Sequence, residues 1–108
     1  MEINSDLFCQ SGGNDNGNWI KFADGTMICY GSGTVLASIG STTVTYPETF
    51  SKTPNLQLTA GYTYYADISI TYGSPTASSF QVCPRRANTG GIVDQIQYFS
   101  WLAIGRWK

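Results

Sequence analysis

The side chains of this chain that could do chemistry are its acids, its cysteines and a set of tyrosines and arginines. The 108 residues include no histidine, which excludes Ser-His-Asp and Cys-His nucleophile arrangements and removes the commonest metal ligand. Paired carboxylates could hydrolyse glycosides, and the candidates are Asp24, Glu48, Asp67 and Asp94. Asp24 is explained by an Asp-Gly turn, and the others fall at strand ends or in loops. Nothing in the sequence brings two of these acids together, so we expect no catalytic residues.

The three cysteines, Cys9, Cys29 and Cys83, also argue against a reactive site. An odd count cannot form a closed disulfide framework, and the spacings match no zinc pattern. We expect buried or incidental free thiols, with a single disulfide as the alternative. Strand alternation places Cys83 with the buried residues, and the neighbouring Arg85 and Arg86 cannot act as a general base.

Metal and cofactor sites are not expected either. The segment Asn14-Asp15-Asn16-Gly17 is rich in oxygen ligands but lacks the distal Glu and the alternating spacing of a calcium loop. The Gly-Gly pairs are not phosphate loops, because no helix start or Lys-Ser follows them. We therefore predict no metal and no cofactor.

Ligand recognition is the chemistry that the sequence favours. Tyr64 and Tyr65 lie near the end of a strand, and tyrosine rings offer flat apolar area with a hydroxyl, which suits sugars and proteins alike. Arg85, Arg86 and Asn88 form a charged loop cluster, and arginine binds carboxylates and phosphates bidentately. We predict these five residues as the ligand-binding surface, because loops carry recognition while strands fix position. The alternative is that the tyrosines belong to the core or rim and the arginines to a solvated turn.

Composition limits the remaining classes of function. Charged residues make up 12% of the chain and the net charge is −1, so the basic face that nucleic-acid binding needs is missing. No run of 18 apolar residues is present, so we expect no membrane insertion, and no secretory signal is visible. The length fits one domain.

The pattern of apolar residues is typical of short strands. Asp24-Gly25 between two apolar segments is the strongest short-range hairpin signal. Further strands are predicted over residues 35–46, 56–62, 67–72, around Phe80 and Val82 until Pro84 stops them, and within 92–104. No stretch has a convincing helical period, so we predict an all-β, antiparallel β-sandwich of short strands. Residues 1–17 read as a flexible N-terminal linker, with the sandwich domain at 18–108.

Two aromatic-rich segments give this fold a family resemblance. Trp19-Ile20-Lys21-Phe22-Ala23-Asp24-Gly25-Thr26 and Trp101-Leu102-Ala103-Ile104-Gly105 resemble the opening hairpin and closing strand of the C-terminal tip domain of bacteriophage tail-fibre proteins. Tyr46-Pro47 with Phe50 and Pro54 is similar to the family's Phe-Pro-x-x-Phe-x-x-x-Pro element, with Tyr46 replacing the first Phe. Residues 76–82 resemble its Thr-x-x-x-Phe-x-Val strand, and Leu102 stands where Ile is usual. The resemblance covers most of residues 18–107.

The resemblance implies a non-enzymatic receptor-binding domain at the tip of a homotrimeric fibre of a phage or prophage. The implied location is the virion, after synthesis in the bacterial cytoplasm, and the implied partners are the rest of the fibre and a host-surface saccharide or envelope polymer. Because whole fibres are longer, we expect an excised tip, a short prophage product or a processed fragment. Trp19 and Trp101 lie in family strands and are expected to be structural. The alternatives are a trimerisation cap without a ligand and, less favoured, a glycan hydrolase.

Overall fold

The computed structural model describes residues 9–61, 68–87, 89–93 and 95–108. Its strands are β1 (Cys9–Asn14), β2 (Gly17–Phe22), β3 (Thr26–Val35), β4 (Thr42–Thr45), β5 (Asn55–Ala60), β6 (Ile68–Gly73), β7 (Ser79–Arg86) and β8 (Gln97–Arg106). One sheet has five strands in the order β1-β2-β3-β8-β5, and the other has three in the order β4-β7-β6. All pairings within the two sheets are antiparallel. The all-β, antiparallel fold that the sequence predicts is confirmed.

The Asp-Gly hairpin forms as predicted between β2 and β3. The Gly25 N–H donates to the Phe22 carbonyl at 3.0 Å, and Gly25 has a φ of 102°, which a residue without a Cβ adopts readily. The Asp24 carboxylate accepts a hydrogen bond from the Thr26 N–H at 2.8 Å, and this bond lowers the pKa of Asp24. The turn chemistry thus fixes the register of the two strands.

Aromatic rings fill the core between the two sheets. Tyr46 contacts Phe50, Phe80 and Trp101, with ring centroids 5.0, 5.5 and 5.7 Å apart. Phe80 and Trp101 meet nearly edge to face at 5.6 Å. Trp101 is only 4% exposed, and Trp19 is partly buried against the same cluster. Both rings therefore contribute to packing.

The structure corrects the prediction that residues 9–17 are flexible linker. Residues 9–14 form β1, which pairs with β2 along its whole length. The segment has weak strand propensity, but Gly12 lies directly under the Trp19 ring. A Cβ on Gly12 would be 2.7 Å from Cζ2 of Trp19, so the missing side chain lets the strand dock. Residues 1–8 lie outside the described part, and the division of the chain at residue 18 stays a prediction.

Two predictions about β7 were wrong. The strand continues through Pro84 to Arg86 instead of ending at the proline. β4 pairs with β7 only as far as Val82, so no residue of β4 requires an N–H from Pro84, and a proline is tolerated there. Cys83 is half-buried rather than in the core, because Phe80, Val82 and Pro84 occupy the inward positions of this strand.

Candidate functional site

The structure describes two of the five residues predicted to bind ligand. Tyr64, Tyr65 and Asn88 lie outside the described residues, so their placement stays a prediction. Arg85 and Arg86 end β7, and both are half-buried. The Arg85 guanidinium donates to the carbonyls of Gly40 and Pro84, which fastens the loop before β4 to β7. Arg85 therefore has a structural role, and a role of either arginine in ligand binding remains untested.

A second location, which the sequence did not indicate, is a cleft between β3 and β4. β2 pairs with β3 only up to Tyr30, whereas β3 continues beside β8 to Val35. Residues 32–35 therefore have an edge with no strand partner among the described residues. β4 is itself an edge strand of the smaller sheet. These two edges border an open cleft of about 180 Å³, which we call the β3–β4 cleft.

The lining of the β3–β4 cleft is polar around an aromatic base. Its hydroxyl-bearing residues are Ser32, Thr34, Thr42, Thr43 and Thr45. Phe99 and Trp101 also line it, and glycines of β3 lie over both rings. A Cβ on Gly33 would lie 2.8 Å from Cζ of Phe99, and one on Gly31 would lie 3.0 Å from Nε1 of Trp101. The glycines thus keep this part of β3 free of side chains above the rings.

The turn between β1 and β2 supplies the remaining polar groups, Asp15 and Asn16. The Asn14 carboxamide oxygen accepts a hydrogen bond from the Asn16 N–H at 2.8 Å. The Asn14 amide nitrogen donates to the Pro47 carbonyl at 3.1 Å, just beyond β4. This bond holds the turn against the smaller sheet and brings the Asp15 carboxylate to the cleft. Sequence reasoning missed the site because it treated this Asn-Gly segment as linker.

Outside the cleft, Lys21 has a structural role and the Cys29 thiol is buried. Lys21 pairs with Glu48 at 2.7 Å and lies over the rings of Trp19 and Trp107, 5.0 and 5.6 Å from their centroids. Burial raises the pKa of the Cys29 thiol to about 11, so at neutral pH it is not a thiolate nucleophile. Within the described ranges, no cluster of Cys, Asp and Glu could hold a metal ion, and no helix could cross a membrane.

The outward side of the five-stranded sheet carries an apolar patch, which we call the outer face. Ile20 pairs with Ile28, and Ile28 pairs with Ile104, which makes one apolar row across three strands. Tyr30 pairs with Leu102 in the next row of the same face. Tyr30 and Ile104 are each 41% exposed. A contiguous apolar surface of this kind is typical of protein contact sites.

Comparison with known proteins identifies the fold. No family model matches the chain, and no curated protein matches it in sequence. Among solved structures, the C-terminal fragment of the R2 pyocin fibre of P. aeruginosa is 16% identical, with a TM-score of 0.65 over 92% of this chain. This chain spans 26% of that fragment.

Two further structures share the fold. An N-truncated R1-type pyocin tail fibre is 12% identical, with a TM-score of 0.65 covering 97% of this chain and 98% of that one. The tailspike protein of Pseudomonas phage LKA1 is 16% identical, with a TM-score of 0.54 covering 93% of this chain and 15% of the tailspike. The chain therefore has the fold found in the tail fibres of R-type pyocins.

Proposed function

We propose that this chain is a non-enzymatic receptor-binding tip domain of a phage or prophage tail fibre. The observation that carries the proposal is the fold likeness to pyocin tail fibres over 91–97% of the chain, together with the aromatic hairpin and closing strand at the two ends of the domain. In this proposal the domain is part of the virion and is joined to the rest of the fibre. Its target is a saccharide or envelope polymer on the bacterial surface.

The outer face supports assembly into a homotrimer. The rows through Ile28 and Tyr30 contain apolar side chains, amides and the Ser11 hydroxyl, and no charged residue. They can therefore be buried without leaving a charge unpaired. Three copies related by rotation would repeat this contact around a closed ring. Light scattering should therefore give three times the mass of the chain.

A pair of variants tests whether the outer face makes this contact. Ile104→Arg places a charge in the apolar row and should convert the trimer to monomers. Ile39→Arg changes an apolar side chain that is 62% exposed in a loop and should leave the mass unchanged. A monomer in the unmodified protein at micromolar concentration would contradict the assembly.

Binding of fluorescently labelled protein to a panel of bacterial strains tests the function itself. We expect strain-dependent adsorption that isolated surface polysaccharide competes away. Alanine at Tyr65 or Arg86 should weaken adsorption without lowering the melting temperature, if those residues bind the receptor. If adsorption is unaffected in the double variant, the receptor site lies elsewhere.

A trimerisation cap without a ligand is the second candidate, and the outer face is the observation that favours it. A cap would form the trimer yet adsorb to no strain in the panel. Adsorption therefore separates the two candidates, while light scattering does not.

A further inference from the structure

We propose that the β3–β4 cleft is the saccharide site of this domain and that it holds one neutral pyranose ring. The inference rests on the proposed function, since it assigns the location and ligand class for surface-glycan recognition. The cleft lies between an open stretch of β3 and the edge strand β4, with the Asp15 carboxylate at its rim and the Trp101 indole at its base.

The chemistry of the lining excludes most other ligands. The described residues that line the cleft include no Lys or Arg, so none of them would neutralise a phosphate or a carboxylate. Among the described residues of the lining, Asp15 is the only acid, and one carboxylate is too few for the oxygen shell of a divalent cation. Threonine hydroxyls along β4 make the walls unfavourable for a lipid chain, because buried hydroxyls require hydrogen-bond partners.

The size of the cleft points to a single ring. Its volume is about 180 Å³, below the range of roughly 300–1,000 Å³ in which drug-sized ligands bind. A polymer would therefore place one residue in the cleft and continue across the open surface. A terminal or branching sugar of a surface polysaccharide meets this requirement.

Several hydrogen-bonding groups of the cleft have no partner among the described residues. The Asp15 carboxylate accepts no hydrogen bond from the described residues, and the Trp101 indole N–H donates to none of them. Both strand edges also present backbone N–H and C=O groups without ladder partners. Donors and acceptors thus alternate along the two walls, as the hydroxyls of a sugar require, while the buried rings of Phe99 and Trp101 close the base of the cleft from the core side.

An extended peptide is the other ligand that strand edges can bind. β4 is only four residues long, which leaves few ladder bonds for an added strand. The Asn14 side chain bonds the turn that carries Asp15 to Pro47, two residues beyond the end of β4, so this turn lies where a longer added strand would have to continue. A compact ring fits these limits better than a strand.

The test titrates ¹⁵N-labelled protein with a panel of methyl pyranosides and N-acetylglucosamine, and separately with a synthetic peptide of residues 1–8. At least one sugar should shift the amide signals of residues 15–16, 32–34 and 42–45 in preference to the rest. Asp15→Ala and Thr43→Val should each weaken that sugar's binding about tenfold or more. The matched control Thr59→Val, at an exposed position of β5, should bind like the parent.

The outcomes separate this inference from the proposed function. Sugar shifts located elsewhere, no shifts with any sugar, or undiminished binding by both cleft variants would overturn the cleft assignment. Shifts with the peptide alone would show a strand-docking site and would also overturn it. If the parent adsorbs to bacteria and both cleft variants adsorb as well as the parent, the assignment of the cleft is wrong while the proposed receptor binding stands. If the parent adsorbs to no strain, the proposed function fails even where a sugar occupies the cleft.

Discussion

Alkaline pH should destabilise this domain through Cys29. The thiol is fully buried, and burial raises its pKa from the ordinary 9.0 to about 11. The unfolded chain therefore loses this proton first as pH rises. Because the pKa of the thiol is higher in the folded than in the unfolded state, the protonated thiol favours the folded state. This contribution to the free energy of unfolding is complete below pH 9 and is lost progressively towards pH 11.

The magnitude follows from the separation of the two pKa values, 9.0 and about 11. The linkage relation gives a loss of about 1 kcal/mol at pH 10 and about 2 kcal/mol at pH 11, from this group alone. That is a substantial part of the roughly 5–15 kcal/mol that holds a small domain folded. Cys29 belongs to the same core cluster as Met27, Phe80 and Ala103, and all four residues are 0% exposed, so the thiol is desolvated in the folded state.

Urea unfolding between pH 7 and 11, under reducing conditions, measures this loss. Cys29→Ala removes the titrating group, so its stability should fall less steeply with pH than that of the parent. The difference between the two curves should appear above pH 9. Thr59→Val, which removes no ionisable group, should keep the slope of the parent. Parallel curves for the parent and Cys29→Ala would refute the reasoning.

Other substitutions in the core and in β1 are expected to raise or to lower the free energy of unfolding. Tyr46→Phe removes a buried hydroxyl that has no hydrogen-bond partner among the described residues. We expect the free energy of unfolding to stay the same or to rise by up to about 1 kcal/mol, and a decrease measured by urea unfolding would show that the hydroxyl is hydrogen-bonded. Trp101→Ala opens the aromatic core and should cost about 3–5 kcal/mol, seen as early melting, whereas Leu36→Ala at a 59% exposed position should melt like the parent. Gly12→Ala forces a Cβ to within 2.7 Å of the Trp19 ring and should cost about 1–3 kcal/mol. A Cβ on Gly13 would lie 2.6 Å from the Asn18 side-chain oxygen, which can rotate away, and 3.1 Å from the Gly17 carbonyl oxygen. Gly13→Ala should therefore cost less than Gly12→Ala, and equal costs would mean that the Trp19 ring does not fix β1.

Local sequence information determined the parts of the fold that depend on neighbouring residues. The Asp24-Gly25 turn forms as expected because its carboxylate and its positive φ are properties of two adjacent residues. Strand alternation likewise identified β5 and β6 within about a residue or two of their bounds, since one buried face requires apolar residues at every second position. The aromatic segments were sufficient to indicate the tail-fibre fold.

Tertiary structure alone decided what depends on pairing between distant segments. β1 contains two glycines and little strand propensity, and it becomes a strand because Trp19 packs over Gly12 and β2 supplies the ladder. Pro84 is accommodated because β4 happens to end opposite Val82. The β3–β4 cleft depends on β2 ending its pairing at Tyr30 while β3 continues to Val35. Strand ends and registers of this kind result from contacts across the whole chain, and no local residue pattern encodes them.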